Sequence, residues 1–238
     1  QAIVRCYEMA KSTPEDKYCG LPENNNIKKD HVDLDLFDNS IISYEAKRNY
    51  ISECEAEALA QKKIFNSNGV SFTEAKSNFI LKNSNGFSSG RRSSIFSVSC
   101  DVLAKEEESM ERDYEYSSKR FFCDLTKPKD IGRIAAERAS ARLSPKKINS
   151  FTGHAVFEPR VSSSFLSHLI SSISGHNLAR KVSFIKGDIG EILFQENINV
   201  IDDPLIKKGL GSRNFDSEGV DCEKLELIKK GKLNEIIL

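Results

Sequence analysis

Histidine side chains are the first candidates for metal or acid–base chemistry, and this chain carries 4 of them, His31, His154, His168 and His176. His168 and His176 stand eight positions apart, which is roughly 12 Å along one helix. Zinc–nitrogen bonds are about 2 Å long, so these two imidazoles cannot share an ion. No histidine or cysteine stands at the i, i+4 or Cys-x-x-Cys spacing of a metal site. We therefore interpret all four as surface histidines or as histidines with satisfied hydrogen bonds.

A glycine-rich segment near the C-terminal end is the second candidate for a site. Glycine permits close backbone approach, and arginine can bind a phosphate or carboxylate through two parallel hydrogen bonds. The segment lacks the preceding strand and following helix of a dinucleotide or P-loop motif, which disfavours phosphate binding. Two interpretations remain: a loop that packs through Leu210 and Phe215, or a contact with a peptide groove or a partner. The residues that could form this contact are Gly209, Gly211, Ser212, Arg213, Asp216, Glu218 and Gly219.

The 6 cysteines are dispersed along the chain, with no two closer than 13 positions. An even count would suit disulfides in a short secreted domain, but 238 residues can build a core without them. No export segment is visible. We expect reduced thiols in a cytoplasmic protein, with Cys54 and Cys100 as small core residues.

Several motifs together resemble one known family. They are 110–114 (MERDY), 142–146 (RLSPK), 187–191 (GDIGE), 200–204 (VIDDP) and 208–219 (KGLGSRNFDSEG). This set resembles the TldD/PmbA family of bacterial proteins, and specifically its PmbA (TldE) branch, from about residue 14 to the end. The resemblance implies a subunit of a two-subunit cytoplasmic metalloprotease that acts on peptides or unfolded proteins.

The resemblance does not bring an active site with it. In the TldD branch, a helix in this place carries His-Glu-x-x-x-His, which binds zinc and activates a water molecule. With Ser183 and residues 190–191 as anchors, the two histidines align with Leu166 and Ser171, and the glutamate aligns with Ser167. Alkyl and hydroxyl groups replace neither an imidazole at zinc nor a carboxylate base. The resemblance therefore implies no catalytic or metal-binding residue in this chain and zinc in a TldD-like partner subunit.

Composition gives broad limits on other functions. The 35 basic residues balance 35 acidic ones, and the isoelectric point is about 7.1. There is no net positive charge to attract phosphates, and no apolar run approaches the roughly 18 residues of a membrane span. We expect neither a nucleic-acid nor a membrane partner. A binding or regulatory module without proteolytic activity, such as a DNA gyrase modulator, remains the alternative function.

Apolar periodicity and turn residues predict an α+β fold, an antiparallel sheet with flanking helices followed by the start of a β-rich C-terminal domain. We predict a remnant of an N-terminal domain with a linker (1–30), a middle α+β domain (31–147) and the first part of a truncated C-terminal domain (148–238). The predicted helices are 1–11, 41–65, 130–143 and 162–177. The predicted strands are 70–72, 78–81, 96–102, 153–157 and a hairpin, 225–228 with 233–238.

Some of these elements carry more specific expectations. The helix at 162–177 is apolar on two sides and should be buried, with Ser162 as its N-cap. Arg133, Arg138 and Arg142 should form a solvated helix face, although such a face could also hold phosphates. The segment 88–94 (SSGRRSS) should be a plain loop, because aromatics for base stacking are not interleaved with its arginines. Asn68-Gly69 and Asn85-Gly86 should be hairpin turns. A polar linker at 20–26 and both chain ends suggest a fragment.

Overall fold

The chain folds into helices and antiparallel sheets, which confirms the predicted α+β class. The computed structural model describes residues 1–15, 20–22 and 31–237. Part of the predicted linker and the last residue of the predicted terminal strand lie outside these residues. The helices are α1 (Ala2–Ser12), α2 (Tyr44–Leu59), α3 (Pro128–Ala141), α4 (Pro159–Ser172) and α5 (Gly175–Ala179). The strands are β1 (Ile64–Lys82), β2 (Ser88–Glu106), β3 (Ser109–Lys119), β4 (Val200–Asp202), β5 (Leu225–Lys229) and β6 (Lys232–Leu233).

Residues 44–141 form what we call the central unit, an antiparallel sheet in the order β1-β2-β3 with α2 and α3 packed on one face. The middle strand β2 alternates between buried and partly exposed side chains, as its sequence predicted. Its inward side chains form the centre of the core and are at most 1% exposed: Phe96, Val98, Cys100, Val102 and Ala104.

Helix α2 is shorter than the predicted 41–65. It begins after Ser43, whose hydroxyl oxygen accepts a hydrogen bond from the Ala46 amide at 3.1 Å. It ends at Leu59, because Ile64 already pairs with β2 as the first residue of β1. The apolar stripe of residues 41–65 continues into the strand, so periodicity alone did not mark the boundary.

Helices α2 and α3 approach each other closely at Gly132. A Cβ atom at this position would lie 2.2 Å from the carbonyl oxygen of Cys54 and 3.0 Å from the amide nitrogen of Ala58. Both distances are shorter than van der Waals contact, so the helix pair depends on a glycine here.

The Asn68-Gly69 pair lies inside β1 and forms a bulge, so the hairpin turn predicted there is wrong. The register with β2 shifts between Ser67 and Gly69, and Gly69 has a φ of 113°. The side-chain amide of Asn68 donates a hydrogen bond to Asp101 on β2 at 2.9 Å. The two strands predicted on this stretch of chain are therefore one strand.

The turn predicted at Asn85-Gly86 is confirmed, since it joins β1 to β2. The segment 88–94, however, is the first part of β2 and not a loop. Its polar sequence does not indicate a strand, but the segment pairs with β1, where Phe79 lies opposite Arg91. The Arg91 guanidinium lies 4.6 Å from the centroid of the Phe79 ring, so the neighbouring strand supplies an aromatic partner that the local sequence lacks.

Residues 159–237, which we call the C-terminal segment, contain α4, α5 and a small antiparallel sheet in the order β4-β5-β6. The turn of the predicted hairpin is confirmed at Lys230 and Gly231, whose φ values are 48° and 74°, but the second strand is Lys232–Leu233 and not the predicted 233–238. A smaller core holds the segment together, formed by Leu169, Ile173, Ile185, Leu227, Ile228 and Leu233.

Three predictions just before and within the first part of this segment are wrong. Residues 153–157 form no strand, and Val156 there is 98% exposed. Helix α4 begins at Pro159 with Glu158 at its N-cap position, not at Ser162. Proline suits the first position of a helix because the amide hydrogen it lacks has no acceptor there. The helix also ends before 177, at Ser172, and Gly175 opens α5.

Helix α1 confirms the predicted N-terminal amphipathic helix, and none of its residues is buried. Among the described residues, no helix is long and apolar enough to cross a membrane.

Candidate functional site

The glycine-rich segment, which we call the 209–219 loop, docks on the central unit through Phe215. This side chain is 1% exposed. Its ring contacts three other rings, with centroid distances of 5.2 Å to Phe87, 5.4 Å to His31 and 6.2 Å to Phe79. The imidazole of His31 also lies 3.1 Å from a carboxylate oxygen of Asp221. The packing interpretation is therefore confirmed at Phe215, whereas Leu210 is 48% exposed.

Two arginines of the central unit hold the backbone of this loop. Arg91 donates from Nη1 to the carbonyl oxygen of Phe215 at 3.0 Å. Arg120, directly after β3, donates from Nε to the carbonyl oxygen of Gly209 at 3.2 Å and from Nη2 to that of Leu210. Its Nη1 donates to the carbonyl oxygen of Ser94 at 3.1 Å. Burial and the nearby charge of Arg91 lower the pKa of Arg120, and carbonyl oxygens compensate for the lost water.

The first part of the loop is a tight turn. A Cβ atom at Gly209 would lie 2.3 Å from the hydroxyl oxygen of Ser212 and 3.0 Å from the carbonyl oxygen of Ile206, so a larger residue would require the Ser212 side chain to move. Ser212 is 7% exposed, and its amide donates to the Gly209 carbonyl oxygen at 3.2 Å. Gly211 has nothing within 4 Å of a Cβ position and lies at the surface.

The second part of the loop is organised by Asp216. Its carboxylate oxygen accepts hydrogen bonds from the amides of Glu218 and Val220, each at 2.9 Å. Gly219 has a φ of 91°, and a Cβ atom there would lie 3.0 Å from the Phe87 ring. Glu218 is exposed.

The predicted contact residues thus divide into two groups. Gly209, Ser212, Asp216 and Gly219 shape the loop and pack it against the central unit. Gly211, Arg213 and Glu218 are exposed, and the guanidinium of Arg213 forms no ion pair with the part of the chain that the structure describes. The second group is therefore the more accessible of the two to a partner or peptide.

Helix α4 carries the three positions that align with the zinc motif of the TldD branch. Leu166, Ser167 and Ser171 are all exposed. The expectation that this helix is buried on two sides is wrong, since only Leu169 and Ser172 are buried. Most of the apolar stripe on this helix is exposed within the part of the chain that the structure describes.

An apolar groove of about 350 Å³ runs along α4, and we call it the α4 groove. Aromatic and aliphatic side chains line it, and His168 is its one titratable lining residue. The lining residues are Phe165, Leu166, His168, Leu169, Phe184, Ile185, Leu193, Phe194, Ile198 and Val200. Such a groove can accept large apolar side chains from another polypeptide.

The side chains at the three aligned positions of α4 do not fit a zinc ion. Leu166 offers no donor atom, and the hydroxyl of Ser167 donates to the Ser163 carbonyl oxygen at 3.3 Å. Across residues 1–15, 20–22 and 31–237, no group of three or more His, Cys, Asp or Glu side chains could hold a metal ion. No step of a zinc-dependent reaction can therefore be assigned to these side chains.

The two buried cysteines, Cys54 and Cys100, are not accessible to a substrate. Cys54 and Cys100 are 0% exposed in the central core, as predicted, and both are free thiols. A hydrogen bond with Cys100, together with burial, raises the pKa of Cys54. A buried thiol with a raised pKa remains protonated and unreactive.

The expected solvated arginine face holds for Arg133 on α3 and for Arg142 directly after it, whose side chain is 57% exposed, but not for Arg138, whose side chain is 26% exposed. Arg133 is exposed and pairs along the helix with Asp130 at 3.4 Å and Glu137 at 2.8 Å. Arg138 and Arg142 also form ion pairs with carboxylates on β3, and Arg138 pairs in addition with Glu158 at the N-cap of α4. Sequence reasoning missed these contacts because the partner carboxylates come from other elements.

Comparison with known proteins matches both parts of the chain to one family. The description "PmbA/TldA metallopeptidase central domain" matches residues 37–143, and "PmbA/TldA metallopeptidase C-terminal domain" matches residues 151–238. The protein "Metalloprotease PmbA" of Escherichia coli O157:H7 is 33% identical over 243 residues, which cover 100% of this chain and 54% of that protein. A "Metalloprotease PmbA homolog" of Haemophilus influenzae is 31% identical, covering 100% of this chain and 53% of the homolog.

Comparison with solved structures finds proteins that share the fold of this chain. A Bacteroides thetaiotaomicron protein, described as a proposed modulator of DNA gyrase, superposes with a TM-score of 0.92 at 29% identity, covering 99% of this chain and 55% of that protein. TldE from Thermococcus kodakarensis has a TM-score of 0.72 at 19% identity, covering 99% of this chain and 53% of TldE, which shows a shared fold. The chain therefore spans about half the length of the relatives it matches.

Proposed function

Because the chain belongs to the PmbA/TldD metallopeptidase family, we propose that it acts as a PmbA/TldE-type subunit that carries no zinc site of its own. One observation carries the proposal. The three positions of α4 that align with the zinc motif hold Leu166, Ser167 and Ser171, which are exposed and cannot bind zinc or act as a base. Peptide hydrolysis then belongs to the assembly with a TldD-like zinc subunit in the cytoplasm.

The exposed surfaces give this subunit a role in the assembly. Helix α4 presents Phe165 and Leu166 beside the α4 groove, and the 209–219 loop presents Arg213 and Glu218. A contiguous exposed patch of large apolar side chains often marks a protein interaction surface. The groove would bind apolar side chains of the zinc subunit or of a peptide held between the subunits.

Reconstitution with a TldD-like zinc subunit tests this proposal. Peptide cleavage should need both proteins and should stop when a chelator removes the metal. Leu166→Asp should weaken assembly and cleavage, because it places a charge beside the apolar groove. Ile41→Asp serves as the matched control, since Ile41 is 94% exposed but lies outside the groove. Cleavage by the zinc subunit alone at the full rate, with no complex formed, would reject the proposal.

Modulation of DNA gyrase is the second candidate function, favoured by the described role of the structural relative from Bacteroides thetaiotaomicron. With formal charge balanced at 35 and 35, we expect no direct DNA binding beyond a weak, salt-sensitive interaction. A change in gyrase supercoiling rate on adding this chain, without any TldD-like protein, would support this function over the first.

A further inference from the structure

Two family motifs, 110–114 and 142–146, have no role in the site described above, yet they meet at one carboxylate. Asp113 lies on β3 in the first motif and is only 6% exposed. Arg142 begins the second motif, directly after α3, and its Nη1 lies 3.3 Å from Asp113 Oδ2. A buried carboxylate needs such partners to remain ionised.

The principal partner of Asp113 comes from the C-terminal segment. Arg160, in the first turn of α4, donates from Nη1 to Oδ1 at 2.8 Å and from Nη2 to Oδ2 at 3.3 Å. The same Nη1 donates to the carbonyl oxygen of Tyr114 at 3.1 Å. The guanidinium also lies 5.4 Å from the centroid of the Tyr114 side-chain ring. A bidentate arginine–carboxylate pair fixes the relative orientation of the two side chains as well as the distance between them.

Further charged groups surround this pair. Glu158 pairs with Arg160 at 3.3 Å and with Arg138 at 3.5 Å. Arg138 also contacts Glu115 on β3, and Arg142 Nε lies 3.8 Å from Glu111. Arg142 and Arg160 therefore pair with Asp113 directly, and the charged groups that pair with the arginines around it are Glu111, Glu115 and Glu158.

Among the described residues, few other contacts hold the N-terminal half of α4. The buried residues of the helix, Leu169 and Ser172, both lie in its C-terminal half. Residues 145–158 before it form neither helix nor strand. The ring of Phe165 contacts Phe157 at 4.5 Å, but Phe157 belongs to that same preceding stretch. An element with few buried apolar contacts opens easily unless polar contacts hold it.

We infer that Asp113 is a positioning residue, which holds the N-terminal half of α4 against the central unit through the guanidinium of Arg160. The pair thereby sets the location of Phe165 and Leu166 at the edge of the α4 groove. This role concerns the chain itself and does not depend on whether a zinc subunit binds to it.

Hydrogen exchange of the whole chain at neutral pH tests the inference. Asp113→Asn should accelerate exchange of the amides at 163–168 by about tenfold or more, the factor for losing one charge-assisted hydrogen bond. The β2 amides should keep their protection. Arg133→Gln is the matched control: it removes an exposed ion pair from α3 and should leave α4 exchange unchanged.

Two further variants guard against a general folding defect. Arg160→Gln removes the other member of the Asp113–Arg160 pair, a side chain that is 21% exposed. It should also accelerate exchange in α4 and leave the β2 amides protected. Arg160→Lys should restore protection only in part, because lysine cannot form the two-pronged contact. Unchanged α4 exchange in Arg160→Gln, or equal acceleration in α4 and β2, would overturn the inference.

Discussion

The central unit and the C-terminal segment are stabilised in different ways. In the central unit, β2 buries a complete row of side chains beneath α2 and α3. The stability of this region is therefore distributed over many similar contacts. The C-terminal segment has a smaller core, and its connection to the central unit rests on a few individual contacts, notably Phe215 and Arg160. Substitutions in the core of the central unit should lower the global free energy of unfolding. Substitutions at the contacts of the C-terminal segment should in addition allow individual elements, such as α4, to open locally.

The largest effect should come from the side chain that docks the 209–219 loop. Phe215→Ala should lower the free energy of unfolding by about 3–5 kcal/mol, because it leaves a cavity among three rings. Phe184→Ala is the control, since Phe184 is 83% exposed and its loss should change stability by less than about 0.5 kcal/mol. Urea unfolding measures both. A similar cost for the two variants would mean that the loop does not depend on Phe215.

The next largest effect should lie within the central unit. Gly132→Ala should cost about 1–3 kcal/mol or more, because the new Cβ atom would lie 2.2 Å from the Cys54 carbonyl oxygen. Gly211→Ala should be nearly neutral, since nothing lies within 4 Å of its Cβ position. The comparison uses the same chemical change at a packed and an open glycine. A neutral Gly132→Ala would show that α2 and α3 can separate without loss.

Lowering the pH should weaken the contact between Asp113 of the central unit and Arg160 of the C-terminal segment. Burial alone would raise the pKa of Asp113, but hydrogen bonds from Arg160, the Tyr114 amide and Arg142 lower it to about 2. In the unfolded chain the value is about 3.9, so the ionised form contributes stability that is complete above about pH 4 and is lost as the pH falls through about 2.

The Asp113→Asn variant should therefore lose less stability than the original chain when the pH falls from 5 to 3. Urea midpoints at several pH values provide the measurement. Glu137→Gln, at an exposed ion pair on α3, should retain the pH dependence of the original chain. Parallel pH profiles for the original chain and Asp113→Asn would contradict the assignment.

The smallest effect on stability should be at the tip of the 209–219 loop. Arg213→Ala should change the free energy of unfolding by less than about 0.5 kcal/mol, since the side chain is exposed. It should nevertheless weaken binding of a TldD-like subunit or an acidic peptide, measured by calorimetry, because Arg213 is available for a charge-assisted contact. Arg112→Ala, on the exposed side of β3, is the corresponding control. Equal affinities for the two variants would remove the loop tip from the interface.

Sequence patterns predicted the central unit better than the C-terminal segment, for a physical reason. Alternation at Phe96, Val98 and Cys100 reports directly that one face of β2 is buried. The same reasoning applied to α4 identified an apolar stripe, but periodicity does not reveal which surface covers it, and Phe165 and Leu166 proved exposed.

Pairing between distant residues was the main element that the sequence did not reveal. Asn68-Gly69 suits either a hairpin or a bulge, and the choice depends on Asp101 and its strand. Asp113 and Arg160 lie 47 positions apart, and no local rule joins them. The tight turn at Gly209 could have been suspected from its glycines, but the arginines that hold it come from β2 and the end of β3.

Metal analysis of the purified chain, made without a metal-binding tag, tests the central claim most directly. The claim is that α4 lacks a zinc site because Leu166, Ser167 and Ser171 occupy the aligned positions. We predict far less than one zinc per chain after dialysis, and one zinc per complex once a TldD-like subunit is bound. One tightly held zinc per isolated chain, lost in His168→Ala, would contradict the account and make this subunit a candidate enzyme.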